Sequence, residues 1–188
     1  MLTEAQGKFL LRLARKTIEE FVSNRKTSKP EKYDAIFDEK RGVFCTLEEK
    51  YGSRYELRGC IGLPYPSTKL IDAVIEAAKS STRDPRFEPL TKSELSKIRI
   101  ELSILTQPEL LTRGKKILDK LKPHEDGLIL QCRGASALFL PQVWEELPDK
   151  EIFLQNLCLK AGLPPDEWMN DSCIFYVFHV QAFKEGEA

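Results

Sequence analysis

Apolar positions recurring every three or four residues predict an amphipathic helix over residues 4–22. Phe9, Leu10, Leu13, Ile18, Phe21 and Val22 form its stripe, and Arg12, Arg15, Lys16, Glu19 and Glu20 lie elsewhere on its surface. Thr3 stands where an N-cap belongs. The polar stretch SNRKTSKPEKYD, with its proline, reads as a loop. Two strand-like runs, VFCTLEE and YELRGCIG, flank the turn-like KYGSR and predict a hairpin. A second helix is expected over STKLIDAVIEAAKSS, with Ser67 as its N-cap and Leu70, Ile71, Val74, Ile75 and Ala78 as its apolar face. It runs out before Asp84-Pro85, because a residue preceding proline is pushed away from helical backbone angles.

Further along, IRIELSIL alternates strictly. Ile98, Ile100, Leu102 and Ile104 share one face, and Arg99, Glu101 and Ser103 share the other. GLILQC and ASALFLPQV predict a hairpin across Arg133-Gly134, and DKEIFLQNLCLKA a helix stopped at Gly162. CIFYVFHVQAF, apolar on both faces, reads as one central strand covered on both sides. Strand pairs joined by short turns, with helices interspersed, indicate the α+β class with a mainly antiparallel sheet. The sequence marks no repeat, no low-complexity tract and no interdomain linker, so residues 1–188 read as a single domain.

Composition narrows the function classes. Lys+Arg and Asp+Glu both number 29, a balance that argues against a dedicated nucleic-acid binder while leaving room for a local basic patch. No run approaches the ~20 apolar residues of a membrane span. The charged N-terminal stretch is unlike a signal peptide, so the cytoplasm is the expected location and no membrane partner is expected. Cys45, Cys60, Cys132, Cys158 and Cys173 are odd in number, widely spread and free of any CxxC, which predicts no disulfide framework and a reducing compartment. His124 and His179 are the two histidines, with no HxH or HExxH. The sequence therefore offers no metal-ligand cluster and implies no cofactor.

The segment with chemistry to offer is LRGCIG, Leu57 to Gly62. Strict alternation would put Glu56, Arg58 and Cys60 on one face, so that a guanidinium favours the Cys60 thiolate, the reactive form of the side chain. Gly59 and Gly62 would let a ligand or another backbone approach closely. The plainer alternative is a buried cysteine beside a strand bulge.

LRGCIG, then DPRF, IELSILT, LPQVW and CLKAGLPPDEW, in this order along nearly the whole chain, resembles the AMMECR-type domain. The resemblance implies an α+β fold with a larger antiparallel sheet flanked by helices and a smaller second lobe. It points to Arg58, Gly59, Cys60 and Gly62 in the signature, to Asp84 and Arg86 in DPRF, and to Glu101 and Ser103 in the strand motif. Many relatives place a basic residue or histidine before the glycine of the later hairpin, where this chain has Asp126.

On this reading Cys60 is the candidate nucleophile and Glu101 the candidate proton acceptor. Arg58, Gly59, Gly62, Asp84, Arg86 and Ser103 are the candidate binding residues. If the strands carrying them are neighbours, Arg58, Cys60, Glu101 and Ser103 line one patch for a small polar or anionic ligand. Two plainer assignments compete: an Arg58–Glu101 pair that only fixes register, and a DPRF segment that is simply a turn. His179, in an apolar strand, is expected to be a core histidine. The rival function is a non-catalytic module that recognises protein or RNA through the same motif.

Overall fold

In the computed structural model, which describes residues 1–186, the first apolar stripe forms helix α1 (Glu4–Asn24). Thr3 and Gln6 close its start as a capping box. The Thr3 hydroxyl accepts the Gln6 N–H at 3.3 Å and the Gln6 side-chain oxygen accepts the Thr3 N–H at 2.8 Å. The hairpin is β1 (Val43–Tyr51) and β2 (Arg54–Leu63), longer than the pattern suggested and with a correspondingly tighter turn. Helix α2 (Leu70–Ser81) follows, then β3 (Ile98–Leu105). Ser67 is not the cap of α2; Lys69 holds the cap position without a side-chain hydrogen bond, and the Leu70 N–H donates to the Glu39 carbonyl instead.

These elements belong to a first compact unit, residues 1–105 with the segment from Gln181 onward. Its sheet has the order β2-β1-β3-β8, where β8 is Val180–Lys184. Leu10, Ala14 and Ile18 of α1 and Leu70, Val74 and Ala77 of α2 pack on Val43, Cys45, Leu47, Ile100 and Leu102. The second helix therefore covers the same sheet face as the first.

The second unit, Thr106–Val180, holds its own sheet. Its strands are β4 (Glu109–Arg113), β5 (Gly127–Cys132), β6 (Ala135–Phe139) and β7 (Ile174–Phe178), ordered β4-β7-β5-β6, with every pairing antiparallel. Short helix α3 (Ile117–Lys120) and helix α4 (Lys150–Lys160) belong to it. The Trp144 ring stacks on Phe153 with centroids 3.7 Å apart, and Trp144 donates to the Asp126 carbonyl at 2.8 Å, so its polar edge is satisfied in the core. Among the described residues the architecture is α+β with antiparallel sheets, as the strand and helix patterns indicate.

Two expectations are corrected here. CIFYVFHVQAF is not one strand: it splits at His179 into β7 and β8, which serve different sheets. A largely apolar run does not mark such a break, because each half pairs within its own sheet. The cysteines also do form a bridge. Gln131 of β5 pairs with Ile174 of β7, so the next rung places Cys132 opposite Cys173, with Cα atoms 4.4 Å apart and a disulfide between them. Spacing along the chain could not show this, since the two residues are 41 positions apart.

Closing a loop of that length is worth up to about 4 kcal/mol by chain entropy. Trp144 and Trp168 both lie in the second unit, so tryptophan fluorescence reads that unit alone. In urea with a chelator present, reduction or the Cys132→Ala/Cys173→Ala double variant is expected to lower its stability by about 2–4 kcal/mol. An unchanged midpoint would show that the bridge restrains nothing.

Candidate functional site

The hairpin carries the site because its ladder is irregular at one place. Leu47 faces Gly59 and Glu48 faces Leu57, which leaves Arg58 as an extra residue in β2. A bulge of this kind shifts the side-chain phase of the strand. Val43, Cys45 and Leu47 point into the core, so Phe44, Thr46 and Glu48 point to the opposite face. Leu57, Cys60 and Gly62, their cross-strand partners, stand on that face beside them. Strict alternation therefore fails: Glu56, paired with Glu49, and Cys60, paired with Thr46, fall in opposite phases, so the expected sharing of a face along Glu56, Arg58 and Cys60 does not hold. Arg58 leaves the ladder: its Nε donates to Glu94 at 2.7 Å and its Nη2 to the Glu88 carbonyl at 2.9 Å. The Arg58–Glu101 pair does not form either.

Strands β2 and β3 are not neighbours; both flank β1. Thr46 pairs with Cys60 on one side and with Glu101 on the other, and Phe44 likewise pairs with Gly62 and Ser103. Cys60, Glu101 and Ser103 thus share a face, but the Cys60 and Glu101 backbones are two strand spacings apart, about 10 Å. Thr46 fills the gap, its hydroxyl donating to Cys60 Sγ at 3.3 Å.

Glu101 is held by Lys184 at 3.0 Å, and Lys184 also meets Glu48 at 3.1 Å. Glu48 in turn meets Arg99 at 2.7 Å, whose guanidinium lies 3.8 Å from the centre of the Tyr55 ring. Burial alone would pull the Lys184 pKa down, but its hydrogen bonds to Glu101 and Glu48 outweigh it and raise the pKa. The reverse holds at Glu48: burial acts to raise its pKa, and Arg99 and Lys184 bring it below the ordinary value. Thr46 and Lys184 are the members that sequence reasoning missed. Thr46 sits in the polar phase of VFCTLEE and could have been found there; nothing near Lys184 marks it.

The DPRF segment closes the free edge of β2. The Cys60 N–H donates to Asp84 Oδ2 at 2.8 Å, and the Arg86 N–H and Nε both donate to Oδ1 at 3.0 Å. Arg86 Nη2 donates to Oδ2 at 2.6 Å and to the Cys60 carbonyl at 3.3 Å. The Asp84 side chain is 1% exposed and that of Arg86 57%. The Arg86 hydrogen bonds hold the Asp84 carboxyl far below the ordinary carboxylate range, overcoming the opposing effect of burial, with the Cys60 and Arg86 N–H groups adding to them. A turn is present too, since the Phe87 N–H donates to the Asp84 carbonyl. Gly59 is required by the approach: a Cβ there would sit well inside contact distance of the Ser81 carbonyl oxygen. At Gly62 a Cβ would strike the Phe44 ring.

Of the free cysteines, Cys45 and Cys158 are buried and Cys60 is half-buried. Burial pushes the Cys45 thiol up to about 12 and raises Cys158 as well. His179 is not a core histidine: its side chain is half exposed, and Nε2 lies 3.2 Å from Oδ1 of buried Asp126. The fold also assembles metal-ligand types where the sequence shows no cluster. Cys132, Glu167 and Cys173 place ligand atoms within 4.8 Å of one another.

A family model described as AMMECR1 matches residues 11–183. Protein MJ0810 of Methanocaldococcus jannaschii is 47% identical over 100% of this chain and 94% of its own length. A Thermococcus onnurineus protein is 45% identical over 95% of this chain and 90% of its own. The crystal structure of an uncharacterized Pyrococcus horikoshii protein, PH0010, superposes with a TM-score of 0.81 at 40% identity, covering 98% of this chain and 94% of that one.

The edge clamp has an acid signature. Asp84 titrates lower when folded than the 3.8 of a free carboxyl, so its contribution is complete above about pH 4 and is lost as the pH falls below that. Asp84→Asn is expected to cost about 2–3 kcal/mol at neutral pH, and its deficit relative to the parent should shrink on acidification below about pH 4. Chemical denaturation across pH tests this; a deficit constant with pH counts against it. Gly59→Ala is expected to cost about 1–3 kcal/mol from overpacking.

Proposed function

The chain belongs to the AMMECR1 family, and from that premise we propose that it is a thiol-dependent enzyme acting through Cys60 on a small polar or anionic substrate. The observation that carries this reading is the setting of Cys60. Its sulfur is the half-exposed one among the free cysteines, it receives the Thr46 hydroxyl, and its backbone is gripped on both sides by Asp84 and Arg86. The Thr46 hydroxyl orients the sulfur, and a fixed backbone spares it a search for its attacking position. Arg86, exposed beside Cys60, takes the anion-holding role, since Arg58 is engaged by Glu94 and the Glu88 carbonyl.

The reaction class is acyl transfer or hydrolysis. Cys60 gives its proton through a water beside Thr46 to Glu101, and Sγ bonds to the acyl carbon as the bond from that carbon to the leaving group breaks. Glu101 returns the proton to the leaving group. A second water then adds its hydroxyl to the acyl carbon, the S–C bond breaks, a carboxylic acid leaves and the water's other proton restores the thiol. Ser103 and Gly62 lie one row further along the same face, where the Phe44 ring covers Gly62 and Ser103 is buried, so they shape the floor of the site. A free working thiol fits a reducing compartment, so the cytoplasm is the location proposed.

One observation favours a second reading. Tyr55 and Leu57 are exposed large side chains on the hairpin that carries Cys60, as a protein- or RNA-recognition surface would have them.

Alkylation of the native protein, resolved residue by residue with mass spectrometry across pH, separates the two. Cys60 is expected to react at least ~10-fold faster than buried Cys45 and Cys158. Thr46→Val should slow it while Thr46→Ser leaves it fast. A Cys60 as inert as its buried counterparts defeats the enzymatic reading. A partner retained by Cys60→Ser supports the recognition surface.

A further inference from the structure

We propose that Cys132, Cys173 and Glu167 form a redox-gated zinc site in the second unit: closed as a disulfide when oxidised, and a three-ligand site for one zinc ion when reduced. The three side chains come from three separate places, the end of β5, the residue before β7, and the short helical turn Glu167–Met169. Their ligand atoms lie within 4.8 Å of one another. Two thiolates and one carboxylate are a donor set suited to zinc. A tetrahedral ion with bonds of ~2.3 Å to sulfur and ~2.1 Å to oxygen needs its ligand atoms about 3.6–3.8 Å apart. The cluster is already compact enough, and rotation of the two cysteine side chains about χ1 separates the sulfurs.

The independent sign of a ligand is Glu167. Its side chain is 10% exposed, and its Oε1 is shielded from solvent without a hydrogen-bond donor. That same oxygen meets Arg133 Nη2 at 3.2 Å as an ion pair short of a hydrogen bond, from a side chain 60% exposed. A carboxylate oxygen withdrawn from water at that cost calls for a partner, and the two sulfurs are the groups beside it. A disulfide supplies no such partner; a zinc ion held by both thiolates does. The surroundings fit as well: Cys173 Sγ contacts the Glu167 carbonyl at 3.1 Å, and Ser172 Oγ lies 3.5 Å from Cys132 Sγ. Glu167 also lines an open groove of about 420 Å³ with Lys115, Pro164, Asp166 and Asn170, so the element that carries it borders solvent.

The exchange balances. A dithiol reductant supplies two electrons and two protons, becomes a disulfide itself, and leaves Cys132 and Cys173 as thiols. Zinc binding then expels those two protons and forms two Zn–S bonds and one Zn–O bond, the Glu167 carboxylate contributing its charge unchanged. In the return direction a small-molecule disulfide accepts two electrons from the two zinc-bound thiolates by thiol–disulfide exchange and leaves as two thiols; Cys132 and Cys173 rejoin, both Zn–S bonds break and the ion is released.

The test uses the full chain, reduced with dithiothreitol, freed of reductant without air, and titrated with zinc against a chromophoric chelator. One ion per reduced chain is expected, and none per oxidised chain. Cys132→Ser and Cys173→Ser should abolish stoichiometric binding. Glu167→Gln, which keeps both sulfurs and can be checked for folding by circular dichroism, should weaken it by ~10-fold or more. Cys60→Ser should bind as the parent does. Cobalt in place of zinc should give a sulfur-to-metal absorption band that both cysteine variants lose. No zinc on the reduced parent, equal binding to both redox states, binding that survives either cysteine change, or binding lost with Cys60→Ser would each overturn the proposal.

Discussion

A carboxylate taken out of water must be compensated by donors, and at Asp84 every donor comes from the neighbourhood of one residue. The Cys60 N–H, the Arg86 N–H and the Arg86 guanidinium share its two oxygens. The backbone of β2 at Cys60, an edge strand with no further strand beside it, thereby has its N–H and its carbonyl taken up by a loop. The loop does for this edge what another strand would do, and it denies the position to any foreign strand. Gly59 and the Ser81 carbonyl are the steric side of the same arrangement, since the end of α2 can come this close only because Gly59 has no side chain.

The bulge at Arg58 and the clamp at Asp84 divide the signature's labour. Arg58 is released from the ladder to pair with Glu94, so the cation beside Cys60 is Arg86, which reaches it from the loop. Meanwhile the row Cys60–Thr46–Glu101 is set by ordinary register across three strands. The chain thus handles sulfur in three ways. Cys45 and Cys158 are packed away and their ionisation suppressed, Cys60 is half open, and Cys132 and Cys173 are joined.

Local periodicity carried most of the fold into view. The stripe of α1, its Thr3 cap and the alternation of β3 follow from side-chain chemistry within a few residues, and they appear where the pattern places them. What stayed hidden depends on distant partners. Period-2 counting cannot see an extra residue that only the opposite strand reveals, so it puts Glu56 in phase with Cys60 where the bulge sets the two out of phase. An apolar run cannot show that it serves two sheets, so His179 was placed in a core. Lys184 and the Cys132–Cys173 rung depend on which strands become neighbours, information spread over the whole topology.

That topology also sets an order of events during synthesis. Residues 106–180 are a self-contained insertion between β3 and β8, and the strand that finishes the first sheet is translated after all of them. Leu2 exchanges hydrogen bonds with Gln181 across 179 positions, and Arg15 pairs with Glu185 across 170. On the ribosome the inserted unit can therefore be complete while the older part of the chain still waits, with the Ile100 N–H and carbonyl of β3 unmatched until Glu185 emerges. The piece made first is the piece finished last.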